Sequence, residues 1–290
     1  MGRPRFLGKQ RDVPTLQRIL SCRSDTQSEG HYYASPKVWL LAKTGRTMQH
    51  ALPKLLITAG PTHEPIDAVR YIANRSSGRV GVEIARAALR AGWVVTLALG
   101  PTPLVSRAEQ ITEDIEPPAR DTPDPAHRFR LIRFRTTEEL RSILADVSPN
   151  ADALVMAAAV ADYRPERSEH ADGKIRRQRG GMTLHLEATP DLLAEVSARR
   201  RASPDSQPGL IVAFALEPSD GLIEAAAAKL KRKGADLIVA NPLETMDAGS
   251  ISASLLSAGG AEASTPGEVS KSEFGTWLIS ELKSRVRIRG

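Results

Sequence analysis

LLITAGPTHEPIDAVRYIANRSSGRVG, residues 55–81, decides the fold. An apolar, partly β-branched run, LLITA (55–59), ends at Gly60-Pro61. Beyond the loop, VGVEIARAALRAG (80–92) places Val80, Ile84, Ala87, Ala88 and Ala91 on one helical face and stops at Gly92. Strand, Gly-containing loop, then helix is the order in which an α/β sheet presents backbone N–H groups to phosphates. The loop carries His63, Glu64, Asp67, Arg70, Asn74, Arg75, Ser76 and Ser77. It is too long and too polar for a simple connection.

Outward from that stretch the alternation continues. VVTLALG (94–100) reads as the next strand, and the Pro-rich, acidic 101–128 as a loop. RLIRFR (130–135) alternates as a strand, and TTEELRSILADV (136–147) opens a helix with a Thr-x-x-Glu capping pattern. ALVMAAAV (153–160) is a strand running into small residues, and the charged 163–182 reads as a mobile flap. MTLHLEA (182–188) alternates as a strand, and PDLLAEVSARR (190–200) is a helix with Pro190 in its first turn. LIVAFAL (210–216) and ADLIVAN (235–241) are buried strands around a helix through IEAAAAKLKRKG (223–234), which ends at Gly234. Weak strand signal lies near 251–257, and EFGTWLISELKSRV (273–286) is a closing helix. The pattern predicts an α/β chain: a Rossmann-like, mainly parallel sheet with helices on both faces, plus the flap.

The 290 residues leave room for one large α/β domain, assigned to 51–290. No run approaches the roughly 18 consecutive apolar residues of a membrane span. The single cysteine, Cys22, excludes an internal disulfide and fits a reducing cytoplasm. Residues 1–50 hold nine Lys/Arg and three Asp/Glu, a net +6 that equals the net charge of the whole chain. Residues 51–290 therefore balance, and no basic patch with interleaved aromatics points to nucleic acid. The basic segment 1–50 has two readings: a disordered extension, or upstream sequence translated in error with Met48 as the start. VWLLA (38–42) is too short for a signal-peptide core.

Ligands of such sheets sit at the carboxyl ends of the strands. Four polar or Gly-rich segments follow strand ends here: 60–81, 158–177, 215–220 and 241–250. Gly60 lets a phosphate approach the backbone, Arg70 and Arg75 suit anions, and Asn74 can donate to a carbonyl or developing oxyanion. A surface turn with an N-cap explains Asn-Arg-Ser-Ser-Gly equally well. Asp162 is either a ribose acceptor or a cap. GKIRR (173–177), three cations in five residues, is either a solvated face or a lid that neutralises phosphates. Lys229 and Lys233 share a helical face, which surface lysines also do. Phe214 is core or abuts a base. The standard G-x-G-x-x-G dinucleotide fingerprint is absent from 60–81, and the histidines lack metal-ligand spacing. The chemistry suggested is charge neutralisation and positioning, with no side-chain nucleophile.

ITAGPTHEPIDAVRYIANRSSGRVG, AAAVADYRP, KIRR, TPDLL, VAFALE and KLKRKGADLIVAN occur in the order found in bacterial phosphopantothenate–cysteine ligase, which residues 55–285 resemble. The resemblance implies a CTP-dependent ligase using Mg²⁺. The carboxylate of 4′-phosphopantothenate attacks CTP to give an acyl-cytidylate, and the amine of cysteine then displaces CMP to give 4′-phosphopantothenoylcysteine in coenzyme A biosynthesis. By motif matching, Asn74 holds the acyl-cytidylate carbonyl, Arg70 contacts phosphopantothenate, and Lys174 is the flap lysine. Gly60 lies along the triphosphate. Met156, Ala157, Ala158 and Asp162 form the nucleotide-recognition strand end, with Ala159 facing the intermediate. Pro190, Asp191, Leu192, Leu193, Phe214, Lys229 and Lys233 complete the CTP contacts. The resemblance names no metal ligand. Asn-Arg-Ser-Ser-Gly resembles a dimerisation motif, which implies a homodimer. A flavin-binding decarboxylase half is not matched, so no flavin is expected and a separate decarboxylase would complete the two steps. Pro242 after Asn241, and the loop DAGSISASLL, depart from the family pattern. Two other readings are a catalytically impaired relative serving as a binding partner, and a nicotinamide or flavin oxidoreductase.

Overall fold

The first strand, β1 (Lys54–Ala59), shows how the sheet is covered. Leu55, Ile57 and Ala59 belong to one buried cluster and Leu56 to the other, so the period-2 alternation feeds two cores at once. The computed structural model describes residues 51–119, 121–166, 173–177, 180–203 and 208–288. The basic segment 1–50, and 167–172 and 178–179 of the expected flap, lie outside the described residues.

After β1 come the short strands β2 (His63–Pro65) and β3 (Tyr71–Ala73), then α1 (Arg79–Arg90) and β4 (Val94–Leu99). A five-residue helix, α2 (Val105–Glu109), breaks what reads as a plain loop. Next are β5 (Phe129–Arg133), α3 (Thr137–Val147), β6 (Ala153–Met156), β7 (Tyr163–Pro165), β8 (Leu186–Ala188) and α4 (Leu192–Ala202). The chain continues through β9 (Leu210–Glu217), α5 (Leu222–Lys233), β10 (Leu237–Pro242), β11 (Ser250–Ile251), β12 (Ser254–Ser257), β13 (Gly260–Ser264), β14 (Val269–Ser270) and α6 (Lys271–Lys283).

Eight strands form the central sheet, in the order β13-β12-β10-β9-β6-β1-β4-β5. The six from β10 to β5 are parallel, and β12 and β13 close one edge antiparallel. One cluster packs β1, β4 and β9 under α1 and α6 through Val82, Ile84, Leu89, Phe274, Leu278 and Leu282. The other packs the opposite face under α3, α4 and α5 through Leu140, Leu144, Leu193, Val196 and Leu230. This is the expected Rossmann-like α/β architecture. No described helix is long and apolar enough to cross a membrane.

Several boundaries differ from the sequence reading, each for a local reason. The helix expected from Pro190 begins at Leu192, because Asp191 caps it by accepting from the Ala194 N–H at 3.1 Å; Pro190 precedes the cap. The strand expected over 153–160 ends at Met156, where the small residues 157–161 leave the sheet to run beside 58–62. Of 182–188 only Leu186–Ala188 is strand, paired with β7. The 60–81 loop folds back as the β2–β3 hairpin. α6 starts at Lys271 because Ser270 and Glu273 form a reciprocal capping box.

Candidate active site

Threonines in and just after β1 build the floor of the site. Thr58 Oγ1 accepts from the Ala158 N–H at 3.2 Å, and Thr62 Oγ1 accepts from the Ala161 N–H at 3.0 Å. The Ala159 N–H donates to the Gly60 carbonyl at 2.9 Å, and the Thr62 N–H to the Ala159 carbonyl at 3.3 Å. Segment 157–161 is thereby tied to 58–62 beyond the carboxyl ends of β1 and β6. Gly60 has φ +80°, and a Cβ there would lie 3.2 Å from the Gly100 backbone nitrogen. Only glycine fits such a turn without strain. Its structural role is this packing: Gly60 is buried and is not among the residues lining the cavity.

Above that floor lies a cavity of about 970 Å³. Its walls come from residues 73–81, 156–162 and 189–193, the end of β9, Lys229 and Lys233 of α5, the end of β10 with the loop after it as far as Ile251, and Lys271. Of the residues singled out by motif, Asn74, Met156, Ala157, Ala158, Ala159, Asp162, Pro190, Asp191, Leu192, Leu193, Phe214, Lys229 and Lys233 all line it. Up to 159 residues separate them in sequence. Parallel strand order brings them together, because the strand ends of a doubly wound sheet open on one edge.

Four of the nine charged residues that line this cavity form ion pairs with one another. Lys233 forms an ion pair with Asp191, the α4 cap, and Arg75 pairs with Asp247 across the mouth. Lys229 is half-buried; desolvation pushes its pKa down, with Glu217 and Asp162 opposing that shift and Lys233 and Arg232 reinforcing it. Asn74 donates its amide N–H to the Val160 carbonyl at 2.9 Å, which fixes the side chain over 156–162. Phe214 meets Phe274 edge-on, with ring centroids 6.3 Å apart, so it serves the core and the cavity wall together.

Arg70 and Lys174 stand apart from this wall. Arg70 forms an ion pair with Asp67 and donates to the Ile175 carbonyl at 2.7 Å. Asp67 is buried, and its carboxylate accepts from the backbone N–H groups of Val69 (2.9 Å), Arg70 (2.8 Å) and Ile175 (3.1 Å). These donors, with Arg70 foremost, hold its pKa far below the ordinary carboxyl range. The Ala68 N–H donates to the Gly173 carbonyl at 3.3 Å. The β2–β3 hairpin therefore clasps segment 173–177, and Lys174 lies exposed on the clasped piece.

Several residues of the site carry no obvious sequence signal. Buried Glu64 accepts from the N–H and the hydroxyl of Thr137, at 2.9 and 2.7 Å, and so pins the hairpin to the start of α3. Asn241 donates to Thr245 Oγ1 at 2.8 Å, which closes the turn after Pro242. Arg79, Asp247 and Lys271 also line the cavity. Lys271 follows a Ser-x-x-Glu pattern (270–273) that was there to be read as a helix start.

Comparison with known proteins gives a consistent result. The model of the DNA/pantothenate metabolism flavoprotein C-terminal domain matches residues 51–285. A cysteine/cysteine sulfinic acid decarboxylase from an unknown prokaryotic organism is 37% identical over 196 residues, 68% of this chain and 47% of that protein. The coenzyme A biosynthesis bifunctional protein CoaBC of Mycobacterium bovis is 39% identical over 192 residues, 65% of this chain and 41% of that protein. The chain thus spans less than half the length of these curated relatives. The crystal structure of the C-terminal domain of a CoaBC bifunctional protein superposes with a TM-score of 0.57 at 27% identity, covering 80% of this chain and 95% of that one.

Proposed function

This chain belongs to the family of the DNA/pantothenate metabolism flavoprotein C-terminal domain, and on that premise we propose that it ligates 4′-phosphopantothenate to cysteine at the expense of CTP. The observation that carries the reading is the convergence of Asn74, 156–162, Phe214, Lys229 and Lys233 on one cavity. A relative named for coenzyme A biosynthesis, and the solved C-terminal domain of such a protein, support it.

In the first step the substrate carboxylate oxygen bonds to the α-phosphorus of CTP and pyrophosphate leaves. In the second, the cysteine amine bonds to the acyl carbon, CMP leaves with the bonding electrons, and the amine loses a proton. Both nucleophiles come from substrates, so the protein's task is to neutralise and orient. Lys229 and Lys233 face the nucleotide phosphates. The amide of Asn74 faces the acyl carbonyl. Phe214 and the small residues 157–159 accept the flat faces of base and ribose, and Asp162 takes a ribose hydroxyl. Arg70 holds segment 173–177, which carries Lys174 to the intermediate.

Mg²⁺ enters such reactions on phosphate oxygens, with one or two carboxylates from the protein. No group of three or more potential metal ligands occurs among the described residues. Glu217 lines the cavity without an ion pair among those residues, and it would hold the metal. When bound, it supplies charge neutralisation of the departing pyrophosphate. A homodimer belongs to the same proposal. Tyr71 of β3 and Tyr163 of β7, 48% and 57% exposed, offer apolar surface for it, and light scattering tests it. A separate decarboxylase would take the product.

Incubation with phosphopantothenate, cysteine, CTP and Mg²⁺ should release pyrophosphate and CMP and yield the thiol product by mass. Absence of pyrophosphate release refutes the reading, and replacing CTP with ATP decides the nucleotide.

A further inference from the structure

We infer that Lys271 is a substrate-binding residue: its ammonium holds a phosphoryl oxygen at the end of the cavity where α1 and α6 begin. The inference rests on the phosphate-transfer reaction proposed above.

Lys271 is the first residue of α6, and the reciprocal capping of Ser270 and Glu273 fixes where that helix starts. It is only 5% exposed, yet it lines the cavity. Its ammonium has no hydrogen bond or ion pair with any described residue, whereas Lys233 and Arg75, which line the same cavity, are paired with Asp191 and Asp247. Burying an ammonium without a counter-charge is costly, and chains retain one where a ligand supplies the missing charge.

The surroundings select the ligand. Arg79 lies close enough to repel the ammonium, and Asp247 close enough to attract it, but Asp247 is engaged by Arg75. Burial, then Arg79, pushes the lysine's pKa down, and Asp247 partly offsets this. Gly78 stands at the N-cap of α1 and has no side chain to cap it, and Gly78, Arg79, Val80 and Gly81 share this wall. A buried cation, a second cation and a helix N-terminus form a field that only an anion satisfies. The anion is a phosphoryl group. It comes from the triphosphate tail of the nucleotide or from the phosphate monoester of phosphopantothenate.

Calorimetric titration of the full chain separates these sources, with sodium pyrophosphate as one probe and phosphopantothenate as the other. Lys271→Met is expected to weaken one of the two at least tenfold, and Lys271→Arg to recover most of the loss. Weakened pyrophosphate places the lysine on the nucleotide tail; weakened phosphopantothenate places it on the monoester. Lys271→Met should melt at or above the wild-type temperature, because it removes an unpaired charge and keeps the bulk of the side chain. A folded Lys271→Met protein with both affinities within twofold of wild type overturns the inference, as does a wild type that binds neither anion. Should Lys271→Met fail to fold, Lys271→Gln carries the same test. Lysine-dependent anion binding in a protein that releases no pyrophosphate from CTP sinks the ligase reading and leaves this one standing.

Discussion

Substitution of Gly81 by alanine tests how α1 is seated against the sheet. A Cβ at Gly81 would lie 2.3 Å from the Cβ of Ala59 and 3.6 Å from Ile57 Cγ2. Carbon atoms pack best at about 3.5–4.0 Å, so helix and strand must part by more than about 1 Å. Neither partner can turn aside, because the clash is between Cβ atoms fixed to backbone. Retreat is blocked on the far side, where a Cβ at Gly275 of α6 would already lie 2.7 Å from the Glu83 carbonyl oxygen. Alanine gains about 1 kcal/mol of helix propensity over glycine, and overpacking of this kind costs about 1–3 kcal/mol or more. With backbone on both sides the upper end applies, so the net loss should be about 2 kcal/mol. At about 2–4 °C per kcal/mol for a domain of this size, Tm should fall by about 4–8 °C. Differential scanning calorimetry measures it, with Gly249→Ala as control, since a Cβ there meets nothing within 4 Å. Gly81 also lines the cavity, so the nucleotide KM should rise with the shift of α1. A Gly81→Ala protein that melts with or above the wild type refutes this account of the packing.

Two further outcomes follow from the site. Asp67→Asn should lower kcat more than it raises nucleotide KM, because it loosens the clasp on 173–177 and leaves the cavity walls in place. It should also flatten the acid limb of stability. A carboxyl with a depressed folded pKa contributes fully above its ordinary value of 3.8 and loses that contribution as pH falls towards the folded one. Denaturant midpoints of wild type and variant, measured from pH 7 down to about pH 3, should therefore converge; parallel curves would disprove the assignment. Asn74→Ala removes the proposed donor to the acyl carbonyl, and turnover should drop by about 10²–10³ with Tm nearly unchanged. Turnover within about fivefold of wild type removes Asn74 from the catalytic role, on the scale expected for one such donor.

The sequence by itself determined the layered fold. Runs such as LLITA and LIVAFAL are apolar on both sides, and only strands buried between two helical layers read that way. The helices at 80–92 and 223–234 announced themselves through apolar spacing and terminal glycines for the same local reason. Short pieces were not legible. β7 and β8 are three residues each, and their pairing depends on partners more than twenty positions away. The end of β6 likewise depends on Thr58 and Thr62, which draw the backbone of 157–161 off the sheet.

Most of the residues that motifs in the sequence pointed to line the cavity, but the motifs did not reveal their division of labour. Only the tertiary structure separated Asn74, Phe214 and Lys229, which line the cavity, from Arg70, which is spent on Asp67 and Ile175, and from Gly60, which is packed beneath the floor. It also added Lys271, 42 positions beyond Lys229 in the chain. The reason is physical. Strand and helix periodicity are local and can be read residue by residue, but whether a cation is paired or unpaired depends on what the fold places next to it.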